Sequence, residues 1–132
     1  MKNISIMLVC LFILSACGAK TKTELIAEAR LHEEYTVNKN YQEVYREIAD
    51  KFVECSDSMA PYLRRNLYSD LGEGELYLHG ADSAGYAFLV SIKKIGDTQT
   101  EVKVYSKIST GLFPSYMQTV RMGAYGQSGC PK

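Results

Sequence analysis

The side chains with the clearest capacity for chemistry include a short acidic segment. Asp70, Glu73 and Glu75 lie close together around two glycines. Paired carboxylates of this kind can serve glycoside hydrolysis or bind calcium. A calcium-binding EF-hand loop, however, needs acids at alternate positions and a closing glutamate, and this pattern is missing. The sequence therefore favours an acidic, flexible loop that precedes a strand.

Histidines and arginines give no stronger signal. His79 alternates with leucines, so it is either an acid/base or metal-binding group or, as we prefer, a partly exposed strand residue. His32 lies in a charged stretch, and Arg64-Arg65 could grip a phosphate but fit a solvated turn better. No second histidine or cysteine stands at metal-ligand spacing. No nucleophile, phosphate-loop or dinucleotide motif occurs. We therefore predict no catalytic residue, no metal site and no cofactor.

The beginning of the chain is typical of an export signal. Residues 1–3 carry one positive charge and no acid, and Ser5 is the only polar residue in the segment 4–14. As a helix this apolar segment would be about 16 Å long, whereas a bilayer core is about 30 Å thick. The segment therefore predicts a secretory signal peptide, in preference to a membrane span or a buried core segment.

The end of this segment, Leu14-Ser15-Ala16-Cys17, resembles the lipobox of bacterial lipoproteins. The resemblance covers only about the first eighteen residues. It implies that residues 1–16, with Cys10, are removed and that Cys17 carries a thioether-linked diacylglycerol and usually an amide-linked acyl chain such as palmitate. Two or three acyl chains anchor a protein durably in a membrane. In enteric-type bacteria, Gly18 rather than aspartate after the lipidated cysteine implies the outer membrane, facing the periplasm.

The remaining chain, residues 17–132, is the size of one domain. Its acidic and basic side chains nearly balance, which gives no case for nucleic-acid binding. In an oxidising, exported compartment, Cys55 and Cys130 are expected to form a disulfide, the alternative being two free thiols. We predict a lipidated cysteine and tether at 17–34 and a single periplasmic domain at 35–132.

The pattern of apolar residues predicts an α+β fold. Apolar side chains at helical spacing predict a long amphipathic helix over Tyr41–Cys55, with Asn40 as its cap. Alternating patterns predict an antiparallel meander, and proline in a first turn predicts a short C-terminal helix. The predicted strands cover residues 35–37, 66–69, 75–79, 86–95 and 100–108, and the last helix covers 114–125. A helix packed across one face of such a sheet resembles the helix-grip arrangement, at the level of topology alone.

Ten tyrosines are the one unusual feature of the composition. Tyrosine is common in binding surfaces because it combines a rigid apolar ring with a polar tip. Tyr77 and Tyr105 fall on the outer face of the predicted sheet, so we expect them to form a partner surface. We therefore expect a binding or structural module of the envelope, with the membrane and an envelope protein as its partners.

Three alternatives remain open from the sequence. A carrier of a hydrophobic ligand would hold it in a helix–sheet cavity lined by four apolar residues. An inhibitor or immunity lipoprotein would block an envelope hydrolase with a protruding loop at Asp70–Glu75. An enzyme, the weakest alternative, would need a deep polar pocket that unites His79 with Glu73 or Glu75. The residues expected to line the carrier's cavity are Phe52, Phe88, Val90 and Val104.

Overall fold

A computed structural model describes residues 21–28, 30–79, 86–107 and 113–132. The described residues form helices and one antiparallel sheet, which confirms the α+β fold class. The helices are α1 (Lys22–Glu28), α2 (Tyr41–Cys55) and α3 (Phe113–Ala124), and a short 3-10 turn covers Ala60–Tyr62. The strands are β1 (Arg30–Val37), β2 (Leu63–Tyr68), β3 (Glu73–His79), β4 (Tyr86–Gly96) and β5 (Gln99–Ser106).

The five strands form one sheet in the order β1-β5-β4-β3-β2. Strands β2 to β5 are an antiparallel meander, and the last of them, β5, pairs antiparallel with β1, the first strand of the chain. Helix α2 therefore connects the two edge strands. The hairpin expected at residues 80–85 and the end of the last strand at Ile108 lie outside the described residues.

Helix α2 begins and ends where the sequence predicts. The Asn40 side chain accepts a hydrogen bond from the Gln42 backbone N–H at 2.9 Å, which satisfies one of the free donors of the first turn. The apolar face of the helix is buried, and most of its charged residues face solvent. The helix ends at Cys55, where the Ser56 N–H bonds back to the Phe52 carbonyl.

The core lies between one face of the sheet, here called the inner face, and the pair α2 and α3. The rings of Phe52, Phe88 and Tyr116 meet at its centre, each pair of centroids being 6.0 Å apart. Edge-to-face contacts of this kind are favourable arrangements of buried aromatic rings. Gly123 brings α3 directly against the backbone of α2 at Ile48.

Helix α1 packs on the opposite, outer face of the sheet. Leu25 is fully buried there against Leu89, with Tyr77 and Tyr105 partly buried around them. The segment expected to be a tether thus contains α1 and most of β1, and the expected boundary at residue 35 falls inside β1. A bulge between Leu31 and Glu33 explains why the alternation was not visible in the sequence.

The C-terminal segment is fixed to the end of α2. Cys55 and Cys130 form a disulfide across a sequence separation of 75 residues, the pairing that the sequence predicts. The Lys51 ammonium also donates to the Gly129 carbonyl at 3.3 Å. Among the described residues, no helix is long and apolar enough to cross a membrane.

Candidate functional site between strand β1 and helix α3

The tyrosines expected to form a partner surface lie on the outer face of the sheet, as their alternation predicts. Helix α1 covers part of that face, so Tyr77 and Tyr105 contact its Leu25 instead of standing clear of the domain. A carboxylate on the same face, Glu75, is buried and pairs with Lys22 of α1. Lipidation at Cys17 lies outside the described residues.

The polar groups expected to line an enzyme's pocket are spread along one strand. Four residues separate Glu75 from His79, which is about 13 Å along a strand. Glu73 pairs instead with Lys93 at 3.5 Å. The side chain of His32 lies outside the described part of the chain. Within the described residues, no cluster of three histidine, cysteine or carboxylate side chains could hold a metal ion.

The residues expected to line a carrier's cavity pack into the core. All four are buried, and the rings of Phe52 and Phe88 contact each other. Val90 and Val104 face each other on neighbouring strands beneath α2. Protein side chains therefore occupy the space where the carrier alternative needs its ligand, and this packing counts against that alternative.

The acidic segment expected to form an inhibitory loop is a short turn followed by strand β3. Strand β2 ends at Tyr68 and β3 begins at Glu73. Gly72 adopts a φ of 66°, a left-handed conformation that favours glycine, and its carbonyl accepts from the Lys94 N–H at 2.8 Å. Leu71 at the tip is 65% exposed, so the turn offers one apolar side chain to solvent.

A concave surface lies between β1 and α3, away from all of these residues. It consists of two cavities of about 410 and 550 Å³, which share Glu33 and Arg121 in their lining. We call it the β1–α3 groove.

Glu33 is the central polar residue of the groove. It lies opposite Val104 on the inner face of β1, where a strand residue is normally apolar. Its side chain is 20% exposed, and its Oε1 accepts a hydrogen bond from Arg121 of α3. Its Oε2 is buried and has no hydrogen-bond partner among the described residues. The carboxylate is therefore only half satisfied.

Tyr35 follows two residues later on the same face. Its ring stacks on Tyr125, with centroids 5.8 Å apart and planes inclined by 23°. Its hydroxyl is buried and, in the described chain, has no hydrogen-bond partner. Burial, and then the negative charge of Glu33, raise the pKa of this phenol well above its usual value. Tyr35 thus stays protonated and keeps a hydrogen bond to donate.

The second cavity has an apolar wall and a polar rim. Met117 and Met122 of α3 are buried beside it, and their flexible side chains adapt to varied shapes. Pro114, Gln118 and Gln127 line the rest, and the two amides are exposed to solvent. The groove therefore joins an apolar surface to a carboxylate, a guanidinium and a buried phenol.

Sequence reasoning did not find this site. Glu33 falls in the charged stretch that the sequence predicts to be a tether. The bulge shifts the alternation, so the sequence pattern does not reveal that Glu33 lies on the inner face of the sheet. Arg121 and Tyr125 belong to a helix whose position over β1 depends on the sheet order, which periodicity does not reveal.

The chain matches no protein-family model, and no curated protein is similar to it at a significant level.

Proposed function

We propose that this protein is a lipid-anchored binding module of the bacterial cell envelope and that the β1–α3 groove is its binding site. The observation that carries the proposal is the pair of unpartnered buried polar atoms, Glu33 Oε2 and the Tyr35 hydroxyl. Each unsatisfied buried polar group costs about 1–3 kcal/mol. Native structures leave few such groups without a partner. A bound ligand that supplies hydrogen bonds to both atoms would recover this free energy.

The position of the expected anchor supports the same proposal. Lys22, at the start of α1, lies five positions after Cys17, and a chain of that length extends about 18 Å at most. A lipid on Cys17 would thus hold the domain close to the membrane. Helix α1 packs on the outer face of the sheet, whereas Glu33 and Tyr35 lie on the inner face. This arrangement leaves the groove accessible from the periplasm.

The anchor is tested by changing the cysteine. In cells grown with labelled palmitate, the wild-type chain should carry the label and fractionate with membranes. The Cys17→Ser variant should remain an unlabelled precursor. Palmitate label on Cys17→Ser, or an unlabelled wild-type chain, would refute the lipid anchor.

The binding site is tested by blocking the groove. Gln118 is exposed on the groove rim, so Gln118→Trp should fill the groove without disturbing the core. The control is Gln42→Trp on the exposed face of α2. The Gln42 amide donates a hydrogen bond to the Tyr41 hydroxyl, and that hydroxyl donates to the β2–β3 turn, so Gln42 lies on the side of α2 that faces this turn. Crosslinking in intact cells, followed by purification, should recover a partner with wild type and Gln42→Trp and lose it with Gln118→Trp. Equal recovery with both variants would place binding elsewhere and contradict the proposal.

A further inference from the structure

The half-satisfied carboxylate of Glu33 indicates the kind of ligand, provided that the β1–α3 groove is the binding site as proposed above. The first cavity is lined by two carboxylates, Glu33 and Glu34, and one guanidinium, Arg121. Lys103, 3.4 Å from Glu34, also pairs with Glu101 and lies outside this lining. Glu34 alternates to the opposite face of β1 from Glu33 and pairs there with Lys103, so Glu33 and Arg121 are the charged side chains on the groove side, and their charges balance. The preference for a cation therefore depends on the Glu33 oxygen that has no partner among the described residues.

The state of the Glu33 carboxylate shows where a cation would bind. Arg121 satisfies one oxygen from the rim, and its side chain is 54% exposed. Oε2 is buried without a partner in the described chain. The Arg121 end of this ion pair is exposed, so its guanidinium can rotate into solvent when a ligand cation takes its place beside Glu33. A ligand donor could then reach the carboxylate and bind it with a charge-assisted hydrogen bond.

The surroundings of this carboxylate suit an alkylammonium group. The ring of Tyr125, which stacks on Tyr35 and is 47% exposed, offers aromatic surface in the same cavity, and cations are attracted to such faces. The Tyr35 hydroxyl offers a further polar contact. Met117 and Met122 line the adjoining cavity with apolar surface that can pack against methylene groups.

From these contacts we infer that the groove binds a primary ammonium group at the end of an alkyl chain, with Glu33 as its counter-ion and Tyr35 as its second polar contact. Two sources supply this chemistry: a free aliphatic diamine and the lysine side chain of a peptide. Both place a compact cation on an apolar stem, which matches the carboxylate and the methionine wall.

The inference is tested by calorimetry on the full chain purified from membranes in detergent. The probes are 1,5-pentanediamine and the blocked peptide acetyl-Gly-Lys-Gly-amide, with 1,5-pentanediol and glutarate as neutral and anionic matches of similar length. We expect the diamine or the lysine peptide, whichever binds more tightly, to bind at least tenfold more tightly than the diol. We expect no binding of glutarate. Tighter binding of the diamine identifies a free amine as the source, and tighter binding of the peptide identifies a lysine side chain. Equal binding of the diol, or preference for glutarate, would overturn the inference.

Two variants assign the ammonium contact to the groove. Glu33→Gln keeps the shape of the side chain and should weaken amine binding at least tenfold, because a hydrogen bond to a charged group is lost. Tyr35→Phe removes only a hydroxyl and should weaken binding severalfold while the domain stays folded by circular dichroism. Glu43→Gln on the exposed face of α2 is the matched control and should bind as wild type does. Unchanged amine binding in Glu33→Gln would overturn the inference.

The two proposals fail in different ways. Suppose that the wild-type chain binds the amines no better than the diol or glutarate, and that Gln118→Trp abolishes this binding. The groove is then a binding site, but the ammonium assignment is wrong. If Gln118→Trp leaves partner recovery in cells unchanged, the groove itself is wrong, and the ammonium inference falls with it.

Discussion

Gly123 lies directly against the backbone of α2, and its replacement by alanine tests the packing that positions α3 as one wall of the groove. A Cβ atom at this position would lie 2.7 Å from the Ile48 Cα and 3.0 Å from the Glu47 carbonyl oxygen. Carbon atoms pack best at about 3.5–4.0 Å. The two helices would thus have to separate by about 1 Å, because both contacts are with backbone atoms that cannot rotate away.

The expected effect of Gly123→Ala is a net loss of stability. Overpacking a core costs about 1–3 kcal/mol, while alanine gains about 1 kcal/mol over glycine within a helix. Because both contacts are with backbone atoms, the overpacking cost lies at the upper end of that range, and we expect the free energy of unfolding to fall by about 2 kcal/mol. Urea unfolding should show a lower midpoint at an unchanged slope, which indicates a change in stability without a change in the surface exposed on unfolding.

The control for this substitution is Gly96→Ala in the β4–β5 hairpin. A Cβ there would lie 3.4 Å from the Gln99 Cβ, which is ordinary contact. We expect a change within about 0.5 kcal/mol. A Gly123→Ala variant as stable as wild type, or more stable, would refute the tight helix contact, because helix propensity alone would then decide the sign.

Three further predictions concern the disulfide, the buried phenol and helix α1. Replacing Cys130 by serine should lower the free energy of unfolding by about 4 kcal/mol in the chain-entropy model, measured by urea unfolding, and a reducing agent should change only the wild type. Burial raises the pKa of the Tyr35 phenol above its ordinary value of 10.0, so above pH 10 the unfolded chain loses this proton more readily than the folded chain does, and the free energy of unfolding falls as the pH rises. The melting temperature of Tyr35→Phe should therefore fall less than that of the wild type as the pH becomes more alkaline. Identical pH profiles of the two proteins would contradict the burial of this hydroxyl. Leu25→Ala should cost about 2 kcal/mol or more and increase the nitration of Tyr77 and Tyr105, whereas Ile26→Ala, at an exposed position, should change neither.

Local patterns in the sequence were sufficient to predict the principal elements. The apolar spacing from Tyr41 to Cys55 defines α2 to the residue, and alternation locates β3, β4 and β5 within about two residues at each described end. These elements are regular, with one face buried and the other exposed, so their period is visible.

The edges of the sheet were harder to predict because their patterns are interrupted. Strand β1 begins at Arg30, five residues before its predicted start, because the bulge after Leu31 shifts the alternation. In β2, Leu63 is the only buried residue, so an alternating apolar face is absent. Helix α1 is seven residues long and buries one leucine, so its periodicity is weak. The spacing of Thr21 and Glu24 is typical of a capping box, however, and these two residues exchange two hydrogen bonds at the start of the helix.

The groove depends on contacts that no local pattern encodes. Glu33 and Arg121 are 88 residues apart, and they meet because β1 pairs with β5 at the sheet edge beneath α3. A glutamate on the inner face of a strand is the kind of local conflict that marks a functional site in a folded protein. The conflict becomes visible only when the register of β1 is known.

Photo-crosslinking from the groove in intact cells tests the central claim most directly. A photoreactive amino acid at Gln118 should yield a discrete adduct, and the same group at Gln42, on the far side of α2, should yield none. Adding Glu33→Gln to the Gln118 probe should reduce the yield at least tenfold, while adding Glu43→Gln should leave it unchanged. Equal yields from Gln118 and Gln42, or a yield that does not depend on Glu33, would contradict the assignment of the groove as the binding site.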